Sequence, residues 1–264
     1  MNIKLNTKSA FIVVLFYLVL SILVSLIAAI FFGGISSGPS DRIIEGVIDS
    51  GLYANMLVTL FLLYISFSVF KDSRKDIFFE RKNFQLSKLY YLFPLIAMGI
   101  AIFGLVNVDY SSYSPGVILQ VIIASLVIGI NEEVVTRGIL LTGLRHDGLD
   151  EWKVFSINLV IFSLLHLINT AGAGNLSVLL VTVASGALYY TSRRVFNNLV
   201  VPIALHALHD VAFFLLPGVY AVGDTLPDQV LNIQFGSFLI TLAAVIVFLI
   251  FGRGLLKNET TGWS

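Results

Sequence analysis

The sequence predicts an all-α fold, a polytopic membrane protein built as a bundle of about eight transmembrane helices. Three observations carry that expectation. Of 264 residues, 57% are hydrophobic and 12% charged, against roughly 45–50% and ~25% in soluble domains; the mean hydropathy is +0.93. The apolar residues gather in runs of about the 20 residues that a ~30 Å hydrocarbon core requires. Those runs do not alternate apolar and polar residues as the strands of a membrane barrel do.

Taken in order, the expected spans are 9–33, 51–70, 89–106, 115–144, 152–169, 175–192, 199–216 and 235–252. The first follows Lys4 and Lys8 and resembles the start of a signal peptide. It is too long for a signal core and no A-x-A site follows, so it reads as a retained anchor. The basic residues test the remaining spans. With the N-terminus inside, the inner segments hold Lys4, Lys8, Lys71, Arg74, Lys75, Arg81, Lys82, Lys88, Arg145, Lys153, Arg193, Arg194, Arg253 and Lys257, fourteen of the sixteen bases. The outer loops hold only Arg42, and Arg137 lies within a span. This alternation predicts a multi-pass cell-membrane protein with both termini cytoplasmic. Residues 1–264 then form a single integral membrane domain.

The loops near 34–50, 71–88 and 217–233 are too short for a soluble catalytic domain, so any chemistry belongs in the bundle. Segment 71–88 interleaves Phe78, Phe79, Phe84 and Leu86 with its charges and reads as an interfacial anchor on anionic lipid. The 16 Lys and Arg balance 16 Asp and Glu, which gives no field for nucleic acid. With no cysteine, disulfides, thiolate metal sites and thiol nucleophiles are excluded.

Charges at membrane depth are functional candidates by default. Span four carries Glu132, Glu133 and Arg137; span five carries His166; span seven carries His206, His209 and Asp210. His146 falls in a loop and reads as solvated. Glu133 and Arg137, four apart, share a helix face and can pair. Glu132 points ~100° away and needs a partner from another helix. His206 and Asp210 also share a face. By rise, Glu132 and His166 both lie ~20 Å from the inner end of their spans. His206 lies ~10 Å deep counted from Leu199 or ~18 Å from Arg194, depending on where Pro202 lets the helix begin.

A carboxylate beside imidazoles in a membrane cavity suits general-base activation of water, with oxyanion stabilisation by the histidines. The sequence lacks H-E-x-x-H and G-x-S-G, which excludes a zinc site of that spacing and disfavours a rhomboid-like serine nucleophile. Ala221-Val222-Gly223-Asp224 approaches a G-x-G-D pattern but falls in an outer loop.

The set Glu132-Glu133-x-x-x-Arg137-Gly138, Phe162-x-x-x-His166 and His206-x-x-x-Asp210 resembles the CPBP family. This is the CAAX-protease and bacteriocin-processing family, also called Abi, which includes the type II CAAX prenyl endopeptidases. The resemblance covers about 115–216, a CPBP-like catalytic core. It implies an intramembrane endopeptidase with a site open to the cytosol. The substrate would be a membrane-associated, prenylated or leader peptide. Glu132 with His166 would activate water, His206 and Asp210 would form the oxyanion site, and Glu133, Arg137 and His209 would support them. Two positions depart from the family's usual pattern: Thr136 replaces an aromatic, and Asp210 replaces the commoner Asn. The resemblance leaves metal dependence open; the expectation is no cofactor, since ionised Glu132 alone can activate water and no compact ligand motif exists, with zinc as the alternative, held by Glu132, His166 and His206. The competing readings are a silent bacteriocin-immunity or scaffolding protein of the same fold and, less well matched for want of internal repeats, a secondary transporter.

Overall fold

The computed structural model describes residues 3–31, 52, 55–80, 88–167, 177–215 and 246. Helix α1 (Thr7–Phe31) opens on a reciprocal cap. The Ser9 amide donates to Asn6 Oδ1 at 2.9 Å, and the Asn6 amide donates to Ser9 Oγ at 3.0 Å, which satisfies two otherwise orphaned donors. Helix α2 (Asn55–Val69) is followed, after a 95° bend, by a second helical segment within which lies α3 (Arg74–Phe78). Helices α4 (Leu92–Val106) and α5 (Pro115–His146) come next. Ser114 caps α5 by accepting from the Val117 amide at 3.3 Å, and Pro115 sits at its first position, where its missing N–H costs nothing. Helices α6 (Glu151–Leu165), α7 (Ser177–Phe196) and α8 (Val200–Leu215) complete the described bundle.

Seven of the expected spans coincide with α1, α2 and α4–α8; span 235–252 and the loops 34–50 and 217–233 lie outside the described residues, Ile246 excepted. Among the described residues, α1 and α5 are long and apolar enough to cross a membrane, and α2 with the segment after its bend makes a third if taken as one span. Helices α4 and α8 are apolar but shorter. The outer faces are greasy: Leu15, Phe16, Leu26, Leu60, Val106, Leu119 and Val160 are all exposed. With that exterior and these helices, the chain is a membrane protein of all-helical type.

Helix α5 is the axis of the fold. Its 32 residues contain a π-helical stretch, Val134–Leu140, buried throughout. Such a widened turn commonly marks a functional position. Helix α8 packs on α5, α4 and α7, and α6 packs on α7. Gly129 permits a close approach of α8 to α5: a Cβ there would lie 3.1 Å from the Ile203 carbonyl and 3.3 Å from the Ala207 amide. Gly143 does the same for α1, since a Cβ would meet Asn6 O at 2.8 Å and Ala10 Cβ at 2.6 Å.

The junctions expected on the inner side meet at one end. Leu5 O bonds His146 Nδ1 at 3.0 Å, and the Thr7 amide donates to Asp147. The strand-like residues after α3 run against the α7–α8 turn: Phe79 pairs with Asn198, and the Leu199 amide donates to Phe78 O at 2.9 Å. Asn197 turns the chain with a φ of 58°, a left-handed conformation that Asn tolerates.

Two expectations are corrected here. His146 is not a solvated loop residue; it ends α5 and bridges Leu5 O and Asp76 Oδ2. Arg145, Arg193 and Arg194 are not in loops, because α5 and α7 run on past 144 and 192, and all three are buried. They converge on two buried carboxylates. Arg145 forks onto both Glu80 and Glu151, with contacts of 2.6–3.0 Å. Arg193 Nε stands 3.0 Å from Glu80, and Arg194 Nη1 stands 2.9 Å from Glu151. The Tyr190 hydroxyl also donates to Glu151. Within 71–80, Lys71, Arg74, Lys75 and Phe79 are exposed while Ile77 is buried; 81–87 lies outside the described residues.

Candidate active site

The polar residues of α5, α6 and α8 meet within the bundle. Glu133, on the α5 face that looks inward, is fully buried, and its Oε1 accepts from Arg137 Nη1 at 2.9 Å and from His206 Nδ1 at 3.0 Å. Arg137 is spent on structure. Its Nη1 also donates to Thr136 Oγ1 at 3.0 Å, and its Nη2 donates to the Gly186 carbonyl at 3.0 Å. The guanidinium lies 3.9 Å over the centre of the Phe162 ring, a stacked arrangement for which a flat, delocalised cation is suited. Thr136 completes the knot: its hydroxyl donates to the Glu132 carbonyl, and its own carbonyl accepts from Asn158 Nδ2 at 2.7 Å.

Glu132 turns to the other side of the helix, as its 100° offset requires. Its Oε2 stands 3.3 Å from His166 Nε2 and 3.8 Å from His206 Nε2, and its side chain keeps 16% exposure. Asp210 Oδ2 stands 3.8 Å from His206 Nε2. Both imidazoles are held from behind: His166 Nδ1 bonds the Phe162 carbonyl at 2.9 Å, and His206 Nδ1 bonds Glu133. Each Nε2 is thereby left to face Glu132. His166 caps α6 at its C-terminus rather than lying inside the helix. Helix α8 starts at Val200, so Pro202 falls in its first turn, where no N–H is needed. That settles the register that the sequence leaves open and brings His206 level with Glu132.

His209 is separate from this group. Its Nδ1 bonds the Tyr189 hydroxyl at 2.7 Å, and its Nε2 bonds the Ala97 carbonyl of α4 at 2.7 Å. Sequence reasoning missed Tyr189 and Asn158. Tyr189 carried no distinctive signal, because it falls in the last turn of the expected span 175–192, where interfacial tyrosines are ordinary. Asn158 carried none.

Residues 114–212 match the family model for type II CAAX prenyl endopeptidase Rce1-like. That segment is similar to this family; the match covers less than half of the chain. No curated protein and no solved structure matches the chain. The matched segment spans α5 to most of α8, and so holds Glu132, Glu133, Arg137, His166, His206, His209 and Asp210. Ala97, which anchors His209, lies outside the matched residues.

Glu132, His166 and His206 are chemically suited to zinc. Among the described residues, however, no three His, Asp or Glu side chains are arranged to hold a metal ion.

Proposed function

We propose that the protein is an intramembrane endopeptidase that hydrolyses a membrane-associated peptide, prenylated or leader-like, by glutamate-activated water. The single observation that carries this reading is the division between the twin glutamates. Glu133 is fully buried and bonded through Oε1 to Arg137 and His206, whereas Glu132 keeps 16% side-chain exposure and sets its Oε2 near two imidazole Nε2 atoms. A carboxylate used only to join helices has no reason to be held open to an incoming molecule.

In the reaction, water placed between Glu132 and His166 loses a proton to the Glu132 carboxylate as its oxygen bonds the scissile carbonyl carbon. The carbonyl electrons move onto oxygen. Doubly protonated His206 donates Nδ1–H to Glu133 and offers Nε2–H to that oxyanion. The C–N bond then breaks, and the proton on Glu132 passes to the leaving amine. Asp210, in its acid form, would donate beside His206.

The test is cleavage of a farnesylated CAAX peptide and of a bacteriocin-type leader peptide by the protein in nanodiscs, read by mass spectrometry. Glu132→Gln keeps the shape and removes the base; a drop of at least ~10²-fold in kcat with binding retained is expected. Cleavage at the wild-type rate sinks the assignment in favour of the immunity or scaffolding reading. A chelator is expected to leave the rate unchanged, and zinc-reversible inhibition would recast Glu132, His166 and His206 as metal ligands.

A further inference from the structure

We propose that Tyr189 and His209 act as a positioning pair that fixes the plane of the His206 imidazole. The inference rests on the catalytic reading of His206 given above and adds two residues that the reacting atoms never touch. The Tyr189 ring lies parallel under His206, with centroids 4.7 Å apart and planes 17° from coincidence. Phe162 meets the same imidazole edge-on at 5.9 Å and 76°. An imidazole held through Nδ1 alone can still swing about that bond; a ring stacked on its face removes the swing. Nε2 then stays aimed at the space between Glu132 and Asp210.

The stack itself is tethered. A carbonyl only accepts, so the 2.7 Å contact from His209 Nε2 to Ala97 O requires that Nε2 carry hydrogen. Nδ1 of the neutral ring is then an acceptor, and the Tyr189 hydroxyl donates to it across 2.7 Å. A line of two hydrogen bonds therefore runs from the backbone of α4, through α8, to the phenol of α7. Both His209 nitrogens are committed to it, so His209 is not free to replace an oxyanion donor at Asp210. The tether fixes where the Tyr189 ring sits, and the ring fixes His206.

The experiment uses full-length protein in nanodiscs labelled with ¹⁵N-histidine. With only four histidines in the chain, each imidazole signal is assigned by a single His→Gln variant. Wild type, Tyr189→Phe, Tyr189→Leu and His209→Gln are compared by the ¹⁵N spectrum and by kcat and KM on the farnesylated CAAX peptide. Tyr189→Phe keeps the stacked ring but loses its tether to His209; it should shift the His209 Nδ1 signal and lower kcat a few-fold, a modest loss on the scale set by misplaced groups. Tyr189→Leu should split or broaden the His206 signals and lower kcat about 10- to 100-fold with KM unchanged. His209→Gln should fall between them. Unchanged His206 signals in Tyr189→Leu, or a loss carried by KM alone, overturns the proposal. If wild type cleaves nothing while the Tyr189→Leu spectrum changes as stated, the positioning pair stands and the catalytic reading falls.

Discussion

Glu132 and Glu133 are adjacent, chemically identical and differently placed, and the difference follows from a helix turn of ~100° per residue. The Glu133–Arg137 pair was legible from its spacing, as was the need of Glu132 for a partner on another helix. Its partner was legible only through the family resemblance and the matching depths of Glu132 and His166, since the packing that brings in His166 and His206 is encoded in no local pattern. Arg137 yields a sharp prediction. Its removal leaves Glu133 buried without its main cation, a change that costs ~3–5 kcal/mol in comparable buried pairs. Arg137→Ala should therefore fail to give monodisperse protein at wild-type yield. Arg137→Lys should recover little, because one ammonium cannot reach Glu133, Thr136 and Gly186 while lying over Phe162. Adding Glu133→Gln to Arg137→Ala removes the orphaned charge and should restore part of the yield. Size-exclusion profiles of the three variants decide it, and equal, wild-type-like profiles would argue against the pair. Asp210 offers a gentler test: Asp210→Asn keeps the shape and supplies an amide donor, so cleavage should be maintained or improved.

At the level of elements, most helices were readable because a membrane span is a long apolar run with few rivals. Their ends were not. Helices α5 and α7 continue through Arg145 and Arg194, where hydropathy signals a loop, because the carboxylates of Glu80 and Glu151 reach in from other segments and make those charges tolerable inside. The π-helical turn was equally invisible, though Thr136 within it forms hydrogen bonds that an aromatic side chain could not. Close packing explains the glycines that hydropathy treats as neutral. A side chain at position 129 would press on the backbone of α8 one turn before His206. Gly129→Val should cost ~1–3 kcal/mol, as overpacking generally does. It should also move His206 away from Glu132, so that cleavage falls further than thermal stability. A differential scanning trace beside a cleavage assay separates the two; wild-type activity in Gly129→Val would mean that α8 adjusts without moving its catalytic face.

Across the whole molecule, two polar layers sit in an apolar bundle. One surrounds Glu132. The other, at the end where α1 begins and α5 meets α6, joins Glu80, Glu151, Arg145, Arg193 and Arg194. The alternation of basic residues predicted which segments share that end, and the contacts agree. What the sequence hid is that this end is tied by buried ions rather than left to solvent. Glu80 joins the segment after α3 to α5 and α7, so it is the sensitive point. Burial alone would raise its carboxyl, but Arg145, Arg193 and Arg194 outweigh that and hold it below its ordinary value of 4.5. A carboxyl depressed in the folded state binds its proton more readily when unfolded. Its stabilisation is therefore complete above the ordinary carboxylate range and is lost as the pH falls through the lower folded value. Thermal unfolding in detergent should accordingly show a midpoint that is flat at neutral pH and drops as acid approaches that range. Glu80→Gln leaves three arginines facing Glu151 alone; it should lower the midpoint at neutral pH and flatten the acid limb. An acid limb in Glu80→Gln as steep as that of wild type would place the acid sensitivity elsewhere, because the remaining carboxylate of this layer, Glu151, would then have to account for all of it.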